Sequence, residues 1–202
     1  MHVMRSGRRA LGAGIIALTL GLALYAPLSA FAATLVQVSS DPFTNTTSQH
    51  ATQVEPDTYA YGSTIVAAFQ SGRFFDGGSS DIGWATSTDN GATWTHGFLP
   101  GITKYTSVGG PFDRVSDPSV VYDAKHGVWL ISSLSIFGAG VANGVIVSRS
   151  TDGGKTWGNP VTVTPPRGLD KDWIVCDDTA SSPFYGRCYA EWDDPNNFGV
   201  IE

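Results

Sequence analysis

Ser87-Thr88-Asp89-Asn90-Gly91-Ala92-Thr93-Trp94 recurs 63 residues later as Ser150-Thr151-Asp152-Gly153-Gly154-Lys155-Thr156-Trp157. Six of the eight positions are identical, giving the pattern S-T-D-x-G-x-T-W. An apolar run precedes each copy: Ile82-Gly83-Trp84-Ala85 before the first and Val145-Ile146-Val147 before the second. This pattern predicts a hairpin turn after a buried strand. The Asp carboxylate can accept hydrogen bonds from amides of its own turn. The Gly permits the positive φ that such a turn needs. The Trp adds a large apolar surface that pins the turn to neighbouring strands.

A weaker repeat lies upstream. Glu55-Pro56 leads into Thr64-Ile65-Val66-Ala67-Ala68-Phe69. Asp117-Pro118-Ser119 leads into Val120-Val121-Tyr122 and then Val128-Trp129-Leu130-Ile131. Asp170-Lys171-Asp172 leads into Trp173-Ile174-Val175 and then Cys188-Tyr189-Ala190-Glu191-Trp192. Glu55 precedes Asp89 by 34 residues and Asp117 precedes Asp152 by 35, so each unit has room for about four short strands. Composition agrees, with 24 Gly, 11 Pro and only 15% charged residues, the profile of short strands joined by tight turns.

At the N-terminus, Arg5, Arg8 and Arg9 precede an apolar run from Ala10 to about Leu24, followed by Ala30-Phe31-Ala32. These are the three parts of a secretory signal peptide, here residues 1–32, with cleavage expected after Ala32. The exported part, 33–202, is then more acidic than the whole chain's net charge of −6. That excess argues against nucleic acid or an anionic membrane as partner. No later stretch is long and apolar enough to span a membrane. Cys176 and Cys188 both lie in the exported part, where an oxidising compartment favours a disulfide over two buried thiols. No His stands at ligand spacing from either cysteine, so no metal site is read there.

On these motifs the chain resembles the Asp-box (BNR-repeat) proteins of the sialidase superfamily, from roughly Val36 onward. The resemblance implies an all-β, six-bladed β-propeller with each box between the outer two strands of a blade. Blades are expected at about 50–110, 111–165 and 166–202, the last incomplete. The repeat spacing would put a third box just past Glu202, which reads as a fragment of two and a half to three blades. Ser87, Asp89, Gly91, Thr93, Trp94, Ser150, Asp152, Gly154, Thr156 and Trp157 are then structural, at the periphery, away from an axial ligand site.

The resemblance also implies what an exo-α-sialidase needs: three arginines for the sugar carboxylate, a Tyr–Glu nucleophile pair and an Asp general acid. The first arginine falls on Val54 or Ser116, so neither unit carries it. Gly72-Arg73 resembles the short element before the acid, which makes Asp76 and Arg73 the catalytic candidates, with Asp81 next. The Tyr–Glu pair and the remaining arginines belong to later blades. A competing reading is a non-catalytic propeller that binds extracellular glycan or protein. In it Glu55, Asp117 and Asp170 would ring the axis and bind sugar hydroxyls or a cation such as calcium. No other cofactor is expected.

The mature protein is predicted to begin at Ala33. N-terminal sequencing of the secreted material checks this, and recovery of intact residues 1–32 in that material would overturn it.

Overall fold

A computed structural model describes residues 35–138, 141–164 and 167–202. The expected signal peptide lies outside them. The described residues form antiparallel strands, one short 3-10 turn at Pro195–Asn197 and no α-helix. None of their helices is long and apolar enough to cross a membrane.

The first meander is β1 (Gln49–Tyr61), β2 (Thr64–Arg73), β3 (Ser79–Ser87) and β4 (Thr95–Phe98). The second is β5 (Arg114–Asp123), β6 (Val128–Phe137), β7 (Val141–Ser150) and β8 (Val161–Thr162). Both run consecutively and antiparallel, and a single antiparallel pair, Ser79 with Val115, links them. A separate three-stranded sheet follows: β9 (Asp170–Cys176), β10 (Cys188–Asp194) and β11 (Val200–Ile201).

Both repeated turns join the third and fourth strands of a meander, and their hydrogen bonds nearly superimpose. Asp89 accepts from the Thr93 amide at 2.8 Å, the Thr93 hydroxyl at 2.6 Å and the Ser87 hydroxyl at 2.7 Å. Asp152 accepts from the Thr156 amide at 2.9 Å, the Thr156 hydroxyl at 2.6 Å and the Ser150 hydroxyl at 2.8 Å. Ser87 and Ser150 in turn accept from the amides of Gly91 and Gly154 at 2.8 and 2.9 Å. Those two glycines sit at φ of 88° and 80°, where a side chain would be strained. The Thr93 hydroxyl and amide hold the Asp89 carboxyl down at about 2. Desolvation works against Asp152, yet the Thr156 hydroxyl and amide still hold it well below the usual carboxylate range.

The two tryptophans go to different places. Trp157 is buried between the first and second meanders, in a cluster with Val66, Trp84, Val120, Trp129 and Ile146. Trp94 is half-buried and packs with Ala67, Phe69 and Val38, on the opposite face of the first meander. The second turn is also seated on β3, where the Thr86 hydroxyl donates to the Gly154 carbonyl at 2.6 Å. Asp57 ties the meanders a second time, accepting from the Val120 amide at 2.8 Å and the Ser119 hydroxyl at 3.2 Å.

Cys176 and Cys188 are directly opposite in the β9–β10 register and form the expected disulfide. With Val121 and Ile174 they pack against the second meander. Asp178, just beyond, accepts from the Ala124 amide at 2.7 Å and the Tyr59 hydroxyl at 3.3 Å, fastening the third sheet to the other two. The remaining face of that sheet is open, with Trp173, Val175 and Tyr189 each about half exposed.

Replacing Asp152 with Ala strips the turn of one acceptor group and leaves amides unpaired. The expected loss is about 1–3 kcal/mol of unfolding free energy. Urea unfolding followed by tryptophan fluorescence measures it, with Thr151→Ala, whose side chain lies outside this hydrogen-bond set, as the control.

Candidate functional site

Three residues with side chains hold left-handed backbone at matching places in the first strand of each sheet: Glu55, Asp117 and Lys171, at φ of 51°, 48° and 43°. A register shift marks each one, between Val54 and Asp57, between Ser116 and Ser119, and opposite Trp192–Asp193. These are β-bulges, which re-aim a side chain and leave a residue out of the ladder. Pro56 and Pro118 fit there because the bulge asks for no ladder donor. Glu55 and Asp117 therefore do not stand at strand heads, as the sequence suggested, but in mid-strand, whereas Asp170 opens β9. In the third sheet the bulged residue is Lys171, so Asp170 is one position out of the repeat and an ammonium takes the place of the third acid. Left-handed backbone at a residue with a side chain costs roughly 1–2 kcal/mol, and such strain concentrates at functional sites.

The first two bulges share one polar network. Gln70, fully buried in β2, donates through Nε2 to Glu55 and, at 3.1 Å, to the Ser116 hydroxyl. Ser116 donates to Asp117 Oδ1 at 2.7 Å. Arg73 donates to Gln70 Oε1 at 3.1 Å and lies 3.9 Å from Glu55. The Glu55 carboxyl also faces that of Asp117. Burial, then Asp117 and its charge, push the Glu55 carboxyl up against the opposing charges of Arg73 and Lys171.

Asp172 is 1% exposed, and neither of its oxygens has a partner among the described residues. The Ser132 hydroxyl lies beside it, also unpaired and outside hydrogen-bonding geometry. Burial, with the Asp117 charge adding to it, pushes Asp172 up to about 7.

A pocket of about 550 Å³ adjoins this cluster, with Asp76, Gly78, Ser116, Leu134, Arg167 and Asp170 in its wall. The two catalytic candidates from the sequence go to different partners. Arg73 serves Gln70 and Glu55, whereas Asp76 is clamped by Arg114, at 2.5 Å through one nitrogen and 3.5 Å through the other. The Arg114 hydrogen bond holds the Asp76 carboxyl below its ordinary value, which leaves it no proton to give near neutrality. Asp81 is fully buried and pushed well up by burial, with Oδ2 unpaired among the described residues. Among the described residues no three His, Cys, Asp or Glu side chains converge to hold a metal ion. Gln70, Ser116, Lys171 and Asp172 carried no signal in a single sequence beyond their place beside the acid repeat.

No protein-family model matches the chain. A sialidase of Bacteroides fragilis (strain YCH46) is 29% identical over 101 residues, covering 42% of this chain and 18% of the relative's length. Among solved structures, a Hadza microbial sialidase superposes with a TM-score of 0.52 at 19% identity, over 71% of this chain and 33% of that one. A GH43 β-1,3-galactosidase solved with galactodeoxynojirimycin gives 0.50 at 12% identity, over 80% and 59%. The chain thus has an all-β fold shared with sialidase and GH43 propeller structures, and spans less than two thirds of each of these proteins.

Asp172 makes stability depend on pH with a defined sign. Its folded carboxyl holds a proton up to about pH 7, whereas an unfolded Asp releases it near 3.9. Between those values the folded state binds more protons, so stability falls as pH rises from about 4 to 7 and levels above. Asp172→Asn is expected to remove that decline and to be the more stable protein at pH 7.5. Thermal unfolding of both proteins across this range tests it, and parallel pH profiles would overturn it.

Proposed function

We propose that this is a secreted protein of the sialidase-like Asp-box propeller type, acting as a glycoside hydrolase on extracellular glycans. Residues 1–32 would be its removed leader, and 33–202 would form blades at about 50–110, 111–165 and 166–202. The observation that carries the reading is the Glu55–Asp117 carboxyl pair, held on two strained bulges and joined through Ser116 to the wall of a pocket. Glu55, whose carboxyl is pushed up by partial desolvation and by Asp117, would donate to the departing glycosidic oxygen. Asp170, across the pocket wall, would supply the second carboxylate that glycoside hydrolysis requires.

The substrate's own charge follows from the cations. Arg73, Arg114 and Arg167 already face Glu55, Asp76 and Glu202. A sialic acid carboxylate would need arginines that are not so committed, so these three are not its clamp. The same pairing supports the competing reading, a propeller that binds glycan without cleaving it.

Aryl glycosides of neutral sugars and of sialic acid, offered to the secreted protein, separate these readings. Turnover of a neutral glycoside is expected, with Glu55→Gln lowering kcat on the order of 10²-fold or more. Glycan binding without turnover of any substrate would assign the non-cleaving role. Turnover of the sialoside alone would overturn the argument from the arginines.

A further inference from the structure

The pocket beside Glu55 and Asp117 is one end of a longer depression. It shares Asp76 with a second hollow of about 410 Å³, walled by Phe74, Phe75, Asp113 and Arg114. That hollow shares Lys104 and Tyr105 with a third, of about 600 Å³, walled by Phe43, Phe98 and Val108. Each is within the roughly 300–1,000 Å³ of a small-ligand site, so the three in series exceed what one terminal sugar fills. We infer that this run is a cleft for a neutral oligosaccharide chain, with Phe75 and Tyr105 as stacking platforms outside the reacting end. The inference rests on the glycan-acting reading given above and adds the size and charge of the substrate.

Two kinds of observation support it. The first is aromatic. Phe75 is 94% exposed, a ring that buries almost nothing in the folded protein although its neighbour Phe74 is 4% exposed. Tyr105 is held as a platform between Lys104, 5.3 Å from its ring centre, and Phe74, at 6.2 Å. Phe43 and Phe98 meet edge to face at 4.8 Å at the far end. Aromatic rings spaced along an open groove suit sugar rings, whose C–H faces lie on an aromatic face while their hydroxyls reach sideways for partners.

The second is the charge along the groove. Lys104 pairs with Asp113 at 2.7 Å, and Arg114 pairs with Asp76. Arg167 and Asp170 share the wall of the first pocket. Cations and anions balance, so the groove carries donors and acceptors for hydroxyls but no field to hold a polyanion. A polysialic or polyuronic chain would find no unpaired cation in any of these ion pairs.

The test uses the secreted protein and a reducing-end-labelled ladder of neutral hexose oligosaccharides from monomer to hexamer, with a polyuronic ladder of equal lengths. Affinity is read by fluorescence polarisation, so it does not depend on turnover. Affinity for the neutral ladder is expected to rise with length. Phe75→Ala and Tyr105→Ala should each weaken the longest member roughly 2- to 10-fold and leave the monomer unchanged. Phe75 is exposed, so its replacement reports on binding without disturbing the fold, and Tyr105→Phe should restore what Tyr105→Ala loses. Affinity independent of length, an unchanged Phe75→Ala protein, or preference for the polyuronic ladder would each overturn the inference. Loss of turnover on short aryl glycosides with length-dependent binding intact would instead count against the hydrolytic reading alone.

Discussion

Asp152 anchors more than its own turn. Its carboxylate gathers the Ser150 and Thr156 hydroxyls and the turn amides into one rigid loop. The loop then does two jobs at the first meander: Gly154 accepts from Thr86, and Trp157 enters the cluster shared with Val66 and Trp84. Loosening the turn would release an aromatic ring from the interface and a carbonyl from β3 together. With one ladder pair between the meanders among the described residues, side-chain packing and hydrogen bonds such as these hold them in register. The turn is thus the part that makes a buried interface out of two separate sheets.

Order at the inner strands depends on that interface. Gln70 on β2 donates through its one buried amide to Glu55 on β1 and to Ser116 on β5 of the second meander. The Glu55 and Asp117 bulges are strained conformations that such shared contacts can sustain. Desolvation pushes both carboxyls up, Asp172 from a buried position and Glu55 from a half-exposed one where the Asp117 charge adds to it. Stability is given up at Asp172, where two carboxylate oxygens go unpaired beside an unpaired serine. Buried acids without partners are expected where a protein needs protons held near neutral pH.

Much of the fold was legible because its signals are local. The two turns, the strands before them and the cysteine pair were read from short stretches whose chemistry is complete in themselves. The acid repeat was half legible. Glu55 and Asp117 are equivalent, but equivalence in the third sheet is set by a backbone dihedral, which falls on Lys171 and not on Asp170. A one-residue slip leaves the spacing almost unchanged and reverses the charge. Asp76 and Arg73 illustrate a different limit. Their closeness in sequence suggested a common task, whereas Arg114, 38 residues further along the chain, takes Asp76 and leaves Arg73 to Glu55.

The sequence by itself determined the all-β class, the identity of the two repeated turns and the cysteines able to join, since each depends on hydrogen bonds or geometry within a few residues. Tertiary structure alone decided which tryptophan is buried between meanders, since Trp94 and Trp157 occupy the same place in the same motif. It also decided which carboxyls meet. Glu55, Asp117 and Asp172 come from the two meanders and the third sheet, and the proton affinities of Glu55 and Asp172 are set by desolvation and by the Asp117 charge. Those are properties of a packed interior, which exist only once the sheets have closed on one another.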